Sequence, residues 1–345
     1  MKNKKWLANG LFLLLVVGLT LWFTFRGQDM SRVWACVRTA SPLWCAVAVT
    51  LVVAFILGES VIIAGLMRSV GQKTRLTHCF LYSFVGFFFS CITPSASGGQ
   101  PMQVWLMRRD GISAAVSVPV LILVAILYKL VLVVIGLVTL LIRPAVLMPY
   151  LEPVIGWCWL GVGLNVVAVT LMLLVVFRPA LMRRLIGGLV RVGTRLFRLR
   201  HPERLIARAD AWIAQYADVA TCFRRDGRAM IVAAALTFVQ RLLLFAVTVC
   251  CCLALGVGGG HLFTVLMLQG MIAVAADMMP LPGGSGISEM LFLRMFTPLL
   301  GEGAALPVMI LSRGIGFYAQ MFIGAVFSAV AFVVIRRRDG ADAKN

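Results

Sequence analysis

Six apolar stretches of the chain are each long enough to cross a membrane as a helix, and they constrain the fold more than any other feature. A helix needs about 20 apolar residues to cross roughly 30 Å of hydrocarbon. Because 61% of the 345 residues are hydrophobic and only 13% are charged, a soluble fold is excluded. We therefore predict an all-α polytopic membrane protein forming one membrane domain over residues 1–345. The predicted spans are residues 7–25, 43–67, 114–142, 154–177, 229–257 and 306–335.

Two further apolar segments, 76–93 and 261–279, end in loops rich in proline and glycine. Each loop leads into a short second arm, which predicts re-entrant helical hairpins over 76–107 and 261–300. Backbone turns at membrane depth are tolerated only when they are buried in protein or line a wet cavity. We therefore expect the two loops to face one another and to offer backbone N–H groups to an anion, unless they serve only as tight turns. The loop residues expected to contact a lipid headgroup are Ser95, Ser97, Gly98, Gly99, Gln100, Gly283, Gly284, Ser285 and Ser288.

Basic residues predict the orientation, because Lys and Arg are retained on the cytoplasmic side. Lysines precede the first span, Lys and Arg flank the hairpin at 76–107, and three consecutive Arg follow the last span. The connection 178–228 contains 12 Arg, with leucines on another helical face, which predicts a basic amphipathic helix on anionic headgroups. Six spans with two hairpins place all these segments, and both termini, on the cytoplasmic side. No small-residue cleavage site follows span 7–25, so we expect it to be retained.

Residues 43–142 and 229–335 share the order span, hairpin, span. Intramembrane bases recur at matching places, since Lys129 lies 30 residues after Gly99 and Arg313 lies 29 residues after Gly284. With the orientation above, the first hairpin enters from the cytoplasm and the second from outside. The sequence therefore predicts an inverted internal repeat, an architecture that lets a transporter open to either side of a membrane.

Several charged residues fall at membrane depth, where a charge costs about 2.5–3.5 kcal/mol on insertion scales. Four bases against three acids favour an anionic ligand. We expect Lys129, Arg241 and Arg313 to hold a headgroup phosphate, while the acids pair with these bases or carry protons. Structural salt bridges are the alternative. The charged residues at this depth are Glu59, Lys129, Arg241, Asp277, Glu289, Arg294 and Arg313.

Residue patterns argue against several other functions. The nine cysteines show no C-x-x-C spacing, so neither a metal site nor a disulfide framework is predicted. Residues 283–286 match the Gly-x-Ser-Gly of intramembrane serine proteases, but no histidine follows His261 to act as a base. The Gly-Lys of a nucleotide-binding P-loop is absent. The net charge of +19 is explained by the inward-facing basic segments rather than by nucleic acid. We predict no cofactor and no catalytic residue.

The two loops also resemble those of a known family. Residues 93–101 followed by Arg-Arg-Asp-Gly at 108–111, together with residues 280–289, resemble the flippase-like membrane region of the lysylphosphatidylglycerol synthase family. The resemblance covers about 7–335, and Gln100 stands where the family commonly has glutamate. Full-length members carry a cytosolic aminoacyl-transferase domain after this region. Because ten residues follow Ile335 here, the resemblance implies the stand-alone form, which moves or exposes phospholipids or other lipid-linked molecules between leaflets.

Taken together, the residues and the resemblance predict a cytoplasmic-membrane protein that translocates an anionic or zwitterionic lipid, with membrane phospholipids as its partners. One alternative is a membrane-embedded lipid-modifying enzyme with Glu289 or Asp277 as general acid or base. Another is a non-transporting partner of a separate lipid synthase. Gly161 and Gly163 are small residues that favour helix pairing in a homo-oligomer.

Overall fold

The computed structural model describes residues 38–93, 96–178, 219–223, 225–279, 284 and 286–342, together with the single residues 31, 35, 184 and 188. The predicted span 7–25 and most of the connection 178–228 lie outside these residues. The described part consists of helices and loops, and five of the helices are long and apolar enough to cross a membrane. The all-α membrane class is therefore confirmed. The five helices are Pro42–Ser69, Ala114–Ile142, Met148–Phe177, Gly227–Ala254 and Glu302–Phe332.

The described helices are numbered α1 to α11 in chain order. They are α1 (Pro42–Ser69), α2 (Leu76–Ile92), α3 (Gly99–Arg109), α4 (Ala114–Ile142), α5 (Met148–Leu151), α6 (Ile155–Phe177), α7 (Gly227–Ala254), α8 (Leu262–Ala276), α9 (Ile287–Leu300), α10 (Glu302–Arg313) and α11 (Gln320–Asp342). A 3₁₀ turn, Glu152–Val154, joins α5 to α6, and a π-helical segment, Gly314–Ala319, joins α10 to α11.

Two of these helices end in turns that need glycine. Gly71 follows α1 with φ 76°, and Gly111 follows α3 with φ 83°, both in the left-handed region where glycine costs least. After α1, the N–H of Gln72 donates to the carbonyl of Met67 at 2.9 Å, the long-range bond of a Schellman motif. Such a turn reverses the chain at once, so α1 is followed directly by the first hairpin.

Helices α1 and α7 lie side by side in antiparallel directions. At one end, the N–H of Ser41 donates to the carbonyl of Ala254 at 2.8 Å. In the middle, Nε2 of Gln240 donates to the carbonyl of Phe55 at 2.8 Å. The start of α1 therefore lies beside the end of α7.

Two further contacts between the two halves of the chain follow one pattern. Helix α2 packs against α11, where the rings of Phe84 and Phe327 stack with centroids 4.1 Å apart. Helix α8 packs against α4, where a Cβ on Gly136 would lie 3.0 Å from the side chain of Val274. Each shorter apolar helix therefore packs against a long helix from the opposite half.

Helices α2 and α3, and likewise α8 and α9, form pairs that return to their starting level. Nδ1 of His78, near the start of α2, lies 2.8 Å from Oδ2 of Asp110, which directly follows α3. The hydroxyl of Tyr82 donates to the same carboxylate at 2.5 Å. In the second pair, Leu300 at the end of α9 packs against Gly258, which precedes α8. The two ends of each pair therefore lie close together.

Helix α6 packs against α8 through Gly161. A Cβ on this residue would meet the carbonyl of Val274 and, at 2.6 Å, the Cα of Ala275. Nδ2 of Asn165 donates to the carbonyl of Gly161 at 2.9 Å and contacts that of Val274 at 3.4 Å. Gly161 therefore serves a contact within the chain, whereas a Cβ on Gly163 would meet nothing within 4 Å.

Candidate functional site

A cluster of polar and charged side chains lies inside the bundle, on helices from both halves of the chain. Nζ of Lys129 lies 2.5 Å from Oδ2 of Asp277, and these side chains are 11% and 8% exposed. The hydroxyl of Tyr128 donates to the other oxygen of the same carboxylate. A buried charge is tolerated when it is paired and hydrogen-bonded. Asp277 follows the last turn of α8, so this contact joins α8 to the middle of α4.

Arg241 of α7 lies over two aromatic rings in the same cluster. Its guanidinium carbon is 3.6 Å from the ring centroid of Tyr128 and 4.8 Å from that of Phe55. A cation over an aromatic face is stabilised by the ring quadrupole. The residue is buried, and its Nε has no hydrogen-bond acceptor among the described residues. A buried donor without an acceptor costs about 1–3 kcal/mol, so this atom favours a ligand that brings an acceptor.

Glu59 of α1 completes the cluster. Its Oε1 accepts a hydrogen bond of 2.8 Å from Nε2 of Gln103 in α3. Gln103 lies over Gly86 of α2, where no side chain would fit. The carboxylate of Glu59 lies close enough to Arg241 for electrostatic attraction. Among the described residues the two do not approach within the 4 Å of a salt bridge.

Arg313 and Glu289 form a second, half-buried pair. Nη2 of Arg313 lies 2.8 Å from Oε1 of Glu289, an ion pair without the alignment of a hydrogen bond. Oε2 of Glu289 accepts from the N–H of Gly286 at 2.5 Å, at the start of α9. Because α10 begins at Glu302, Arg313 lies about 16 Å along the last span, deeper than its predicted start at 306 implies. Arg294 is exposed and belongs to neither group.

Gly98 and Gly99 of the first loop contact the end of α2 and Thr93, which follows it. The N–H of Gly98 donates to Oγ1 of Thr93 at 2.9 Å. A Cβ on Gly99 would meet Oγ of Ser90 and, at 2.6 Å, the carbonyl oxygen of Gly86. Gly99 is therefore required for the close approach of α2 and α3.

The other predicted loop residues differ in their surroundings. Nε2 of Gln100 donates to the carbonyl of Leu121 in α4 at 3.3 Å, and Ser97 is exposed. Gly284, with φ 64°, lies against Ser288, which is buried. Of the described loop residues, Gly98, Gly99, Gly284 and Ser288 lie outside the contacts that hold Lys129 and Arg241. The predicted headgroup contacts Ser95, Gly283 and Ser285 lie outside the described residues.

Sequence reasoning missed three members of the cluster as contacts. These residues, Phe55, Gln103 and Tyr128, are not among the predicted site residues. Gln103 lies three residues after Gln100, so the pair forms a polar stripe on one face of α3, which is the signal that sequence offered. For Phe55, the sequence contains no comparable signal, because it is one of 21 phenylalanines.

The cluster presents cationic groups that suit an anionic ligand. Lys129 and Arg241 supply two cations, and Asp277 occupies the position on Lys129 that a phosphate oxygen would take. A phosphate replacing this carboxylate would keep the ammonium paired. Among the residues that the structure describes, no three His, Cys, Asp or Glu side chains are grouped as a metal site.

Comparison with known proteins identifies a family. The profile of the family described as the lysylphosphatidylglycerol synthase TM region matches residues 10–324. A search of curated proteins finds no match.

Proposed function

Because the chain belongs to the family of the lysylphosphatidylglycerol synthase transmembrane region, we propose that it is a membrane lipid transporter. It moves a phospholipid or another lipid-linked molecule with an anionic or zwitterionic headgroup between the leaflets of the cytoplasmic membrane. The observation that carries this proposal is the buried cluster of Lys129, Asp277 and Arg241, built by helices from both halves of the chain.

The cluster supports a headgroup path because charges at this depth are expensive and are usually functional. A purely structural core would be cheaper with apolar side chains, since replacing a buried ion pair by apolar residues is often neutral or stabilising. Lys129 and Arg241 bind the phosphate in this proposal, and Asp277 is released from Lys129 as the phosphate arrives. Glu59 and Glu289 remain beside the bases or accept protons during the cycle.

The packing of the helices supports an inverted repeat that alternates between two states. The antiparallel contact of α1 with α7 relates the first spans of the two halves. The exchanged contacts of α2 with α11 and of α8 with α4 relate their hairpins. Repeats of this kind let a transporter open alternately to the two sides around one central site. The two ends of each hairpin lie close together, as expected of re-entrant segments. In this proposal both termini of the protein lie in the cytoplasm.

The lipid tails stay in the bilayer while the headgroup passes through the cluster. In the second half, Arg313 occupies the place that corresponds to Lys129 and pairs with Glu289. We infer that this pair serves the headgroup on the other half of its path. The π-helical segment directly after Arg313 fits such a role, since π-helical turns are frequent at functional sites.

The test is translocation of fluorescent phospholipids in proteoliposomes that contain the purified protein, without nucleotide and with the headgroup varied. We expect Lys129→Gln and Arg241→Gln each to lower the rate about tenfold, the equivalent of about 1.4 kcal/mol. Arg294→Gln is the matched control, because Arg294 is a base on an exposed helix face, and its rate should equal that of the wild type.

Two other outcomes would favour the alternatives. Turnover of the headgroup by the purified protein, without lipid movement, would identify a lipid-modifying enzyme. Activity that appears only when a soluble enzyme is added would identify a partner of a lipid synthase. Equal transport by the wild type and by Lys129→Gln would contradict the assignment of the phosphate to this cluster.

A further inference from the structure

A groove lies at the seam between α1 and α7, on the surface of the bundle and apart from the charge cluster. Its volume is about 290 Å³. Val61 and Gly65 of α1 form one wall, and Val232 and Leu236 of α7 form the other. The side chains of Val61, Val232 and Leu236 are 43%, 50% and 37% exposed. Because both helices are long and apolar enough to span a membrane, a groove between their exposed side chains lies at the depth of lipid tails.

Gly65 keeps the groove open. A Cβ on Gly65 would meet no atom within 4 Å, so close helix packing does not require glycine at this position. Glycine in a helix interior is about 1 kcal/mol less favourable than alanine. The glycine therefore leaves a notch in α1, one turn after Val61, at a cost that helix packing does not explain.

Toward the middle of the two helices, the groove ends at Leu236. The side chain of Gln240 lies against Gly58, where a Cβ would be 3.1 Å from its Cγ, and its Nε2 is bonded to the carbonyl of Phe55. From Asp226 to Leu236 the groove follows ten residues of chain, about 15 Å along a helix, which equals half of a roughly 30 Å hydrocarbon core. It is therefore as deep as one leaflet and does not continue to Arg241.

The opposite end of the groove, at the end of α1 and the start of α7, is basic. Arg228 lines it, and Arg68 and Arg225 are exposed nearby in the chain at the same ends of α1 and α7. Asp226 is the only acid among the groove residues, and its carboxylate already accepts a hydrogen bond of 3.0 Å from the N–H of Ala229 as a helix cap. An apolar slot of leaflet depth with a cationic mouth matches one acyl chain and the phosphate of an anionic phospholipid.

We propose that one anionic phospholipid binds in this groove, with an acyl chain between Val61 and Val232 and its phosphate at Arg228. The lipid is held within a single leaflet, the one on the side where α7 begins. Gln240 blocks the path from there toward the middle of the membrane. This binding site does not depend on transport, and it stands or falls separately from the charge cluster.

The site can be mapped with photoreactive lipids in vesicles of phosphatidylcholine that contain the purified full chain. The probes are phosphatidylglycerol and phosphatidylcholine, each with a diazirine on one acyl chain, and cross-linked peptides are identified by mass spectrometry. We expect the phosphatidylglycerol probe to label the groove residues of α1 and α7 about fivefold more than the phosphatidylcholine probe, the effect of about 1 kcal/mol from a single Arg at the surface.

Two variants separate the acyl-chain slot from the headgroup contact. Gly65→Leu fills the notch and should abolish labelling of the groove by both probes. Gly163→Leu on α6 is its matched control, since a Cβ there also meets no atom within 4 Å, and should label as the wild type does. Arg228→Gln, a surface change that leaves the helices intact, should lower phosphatidylglycerol labelling to the phosphatidylcholine level.

Three results would overturn the proposal. The first is equal labelling of the groove by the two probes. The second is labelling of the exposed face of α6 as strong as that of the groove. The third is a folded Gly65→Leu protein that keeps its groove cross-links. If Gly65→Leu does not fold, the comparison of Arg228→Gln with the wild type still decides the headgroup contact.

Discussion

Nζ of Lys129 lies 2.5 Å from Oδ2 of Asp277, so a base in the first half of the chain is neutralised by an acid 148 residues later. The pair fixes the end of α8 against the middle of α4. Any movement of the second hairpin relative to α4 must therefore break this contact, or exchange it for a contact with an anion. A substrate phosphate would make that exchange without leaving the ammonium bare.

Removing the acid should be more harmful than removing both charges. Asp277→Ala leaves the Lys129 ammonium buried without its partner, and we expect a loss of about 3–5 kcal/mol of stability. The double variant Lys129→Met with Asp277→Leu should recover much of this loss, because no buried charge remains. Thermal unfolding in detergent, followed for both variants, measures the difference. Equal melting temperatures for the wild type and Asp277→Ala would argue against the pair.

The two functions of Tyr128 can be separated by substitution. Tyr128→Phe keeps the ring under Arg241 but removes the hydroxyl that donates to Asp277. Tyr128→Leu removes both, including a cation–π contact of about 0.5–2 kcal/mol. We expect the Leu variant to be the less stable of the two and to transport lipid more slowly. Identical behaviour of the two variants would show that the ring contact contributes nothing.

Gly161 and Gly163 should respond oppositely to the same small change. In Gly161→Ala the new methyl group meets the backbone of Val274 and Ala275, which cannot rotate away, and overpacking of this kind costs about 1–3 kcal/mol. Gly163→Ala adds a methyl group in open space and should gain about 1 kcal/mol at most, from helix propensity. Melting temperatures of the two variants check this, and a neutral Gly161→Ala would contradict the close contact of α6 with α8.

The predicted orientation can be tested by labelling introduced cysteines. In a cysteine-free background, Lys73→Cys and Arg109→Cys, at the two ends of the first hairpin, should react only with reagents supplied from the cytoplasmic side. Gly260→Cys and Glu302→Cys, which flank the second hairpin, should react only from outside. All four residues are exposed in the structure. Labelling of all four from one side would exclude an inverted arrangement of the hairpins.

Apolar length was sufficient to predict the long helices. The predicted span 114–142 coincides with α4, and 154–177 differs from α6 by one residue. The last span begins earlier than predicted, at Glu302, because the break before it is Gly301 with φ 84° rather than the later proline. The hydropathy pattern identifies the apolar run but not the turn at its start.

The charged members of the cluster were predictable, but their partners were not. The cost of a charge in lipid identifies Lys129 and Asp277 as residues that need a partner, and no more than that. Which acid meets which base depends on how helices pack across 148 residues of chain. Among the residues that the structure describes, Glu59 accepts a hydrogen bond from an amide, Gln103 of α3, and forms no salt bridge with Arg241. The π-helical segment 314–319 has no counterpart in the sequence pattern.

The pairing of Lys129 with Asp277 also has a consequence for biosynthesis. A ribosome that adds about 5–20 residues per second needs roughly 7–30 seconds to make the 148 residues between them. During that time α4 is already synthesised, and its ammonium must be shielded by something other than its final partner. The insertion machinery, water or lipid phosphates must fill that role. The first half of this protein therefore cannot reach its final packing before the second half emerges.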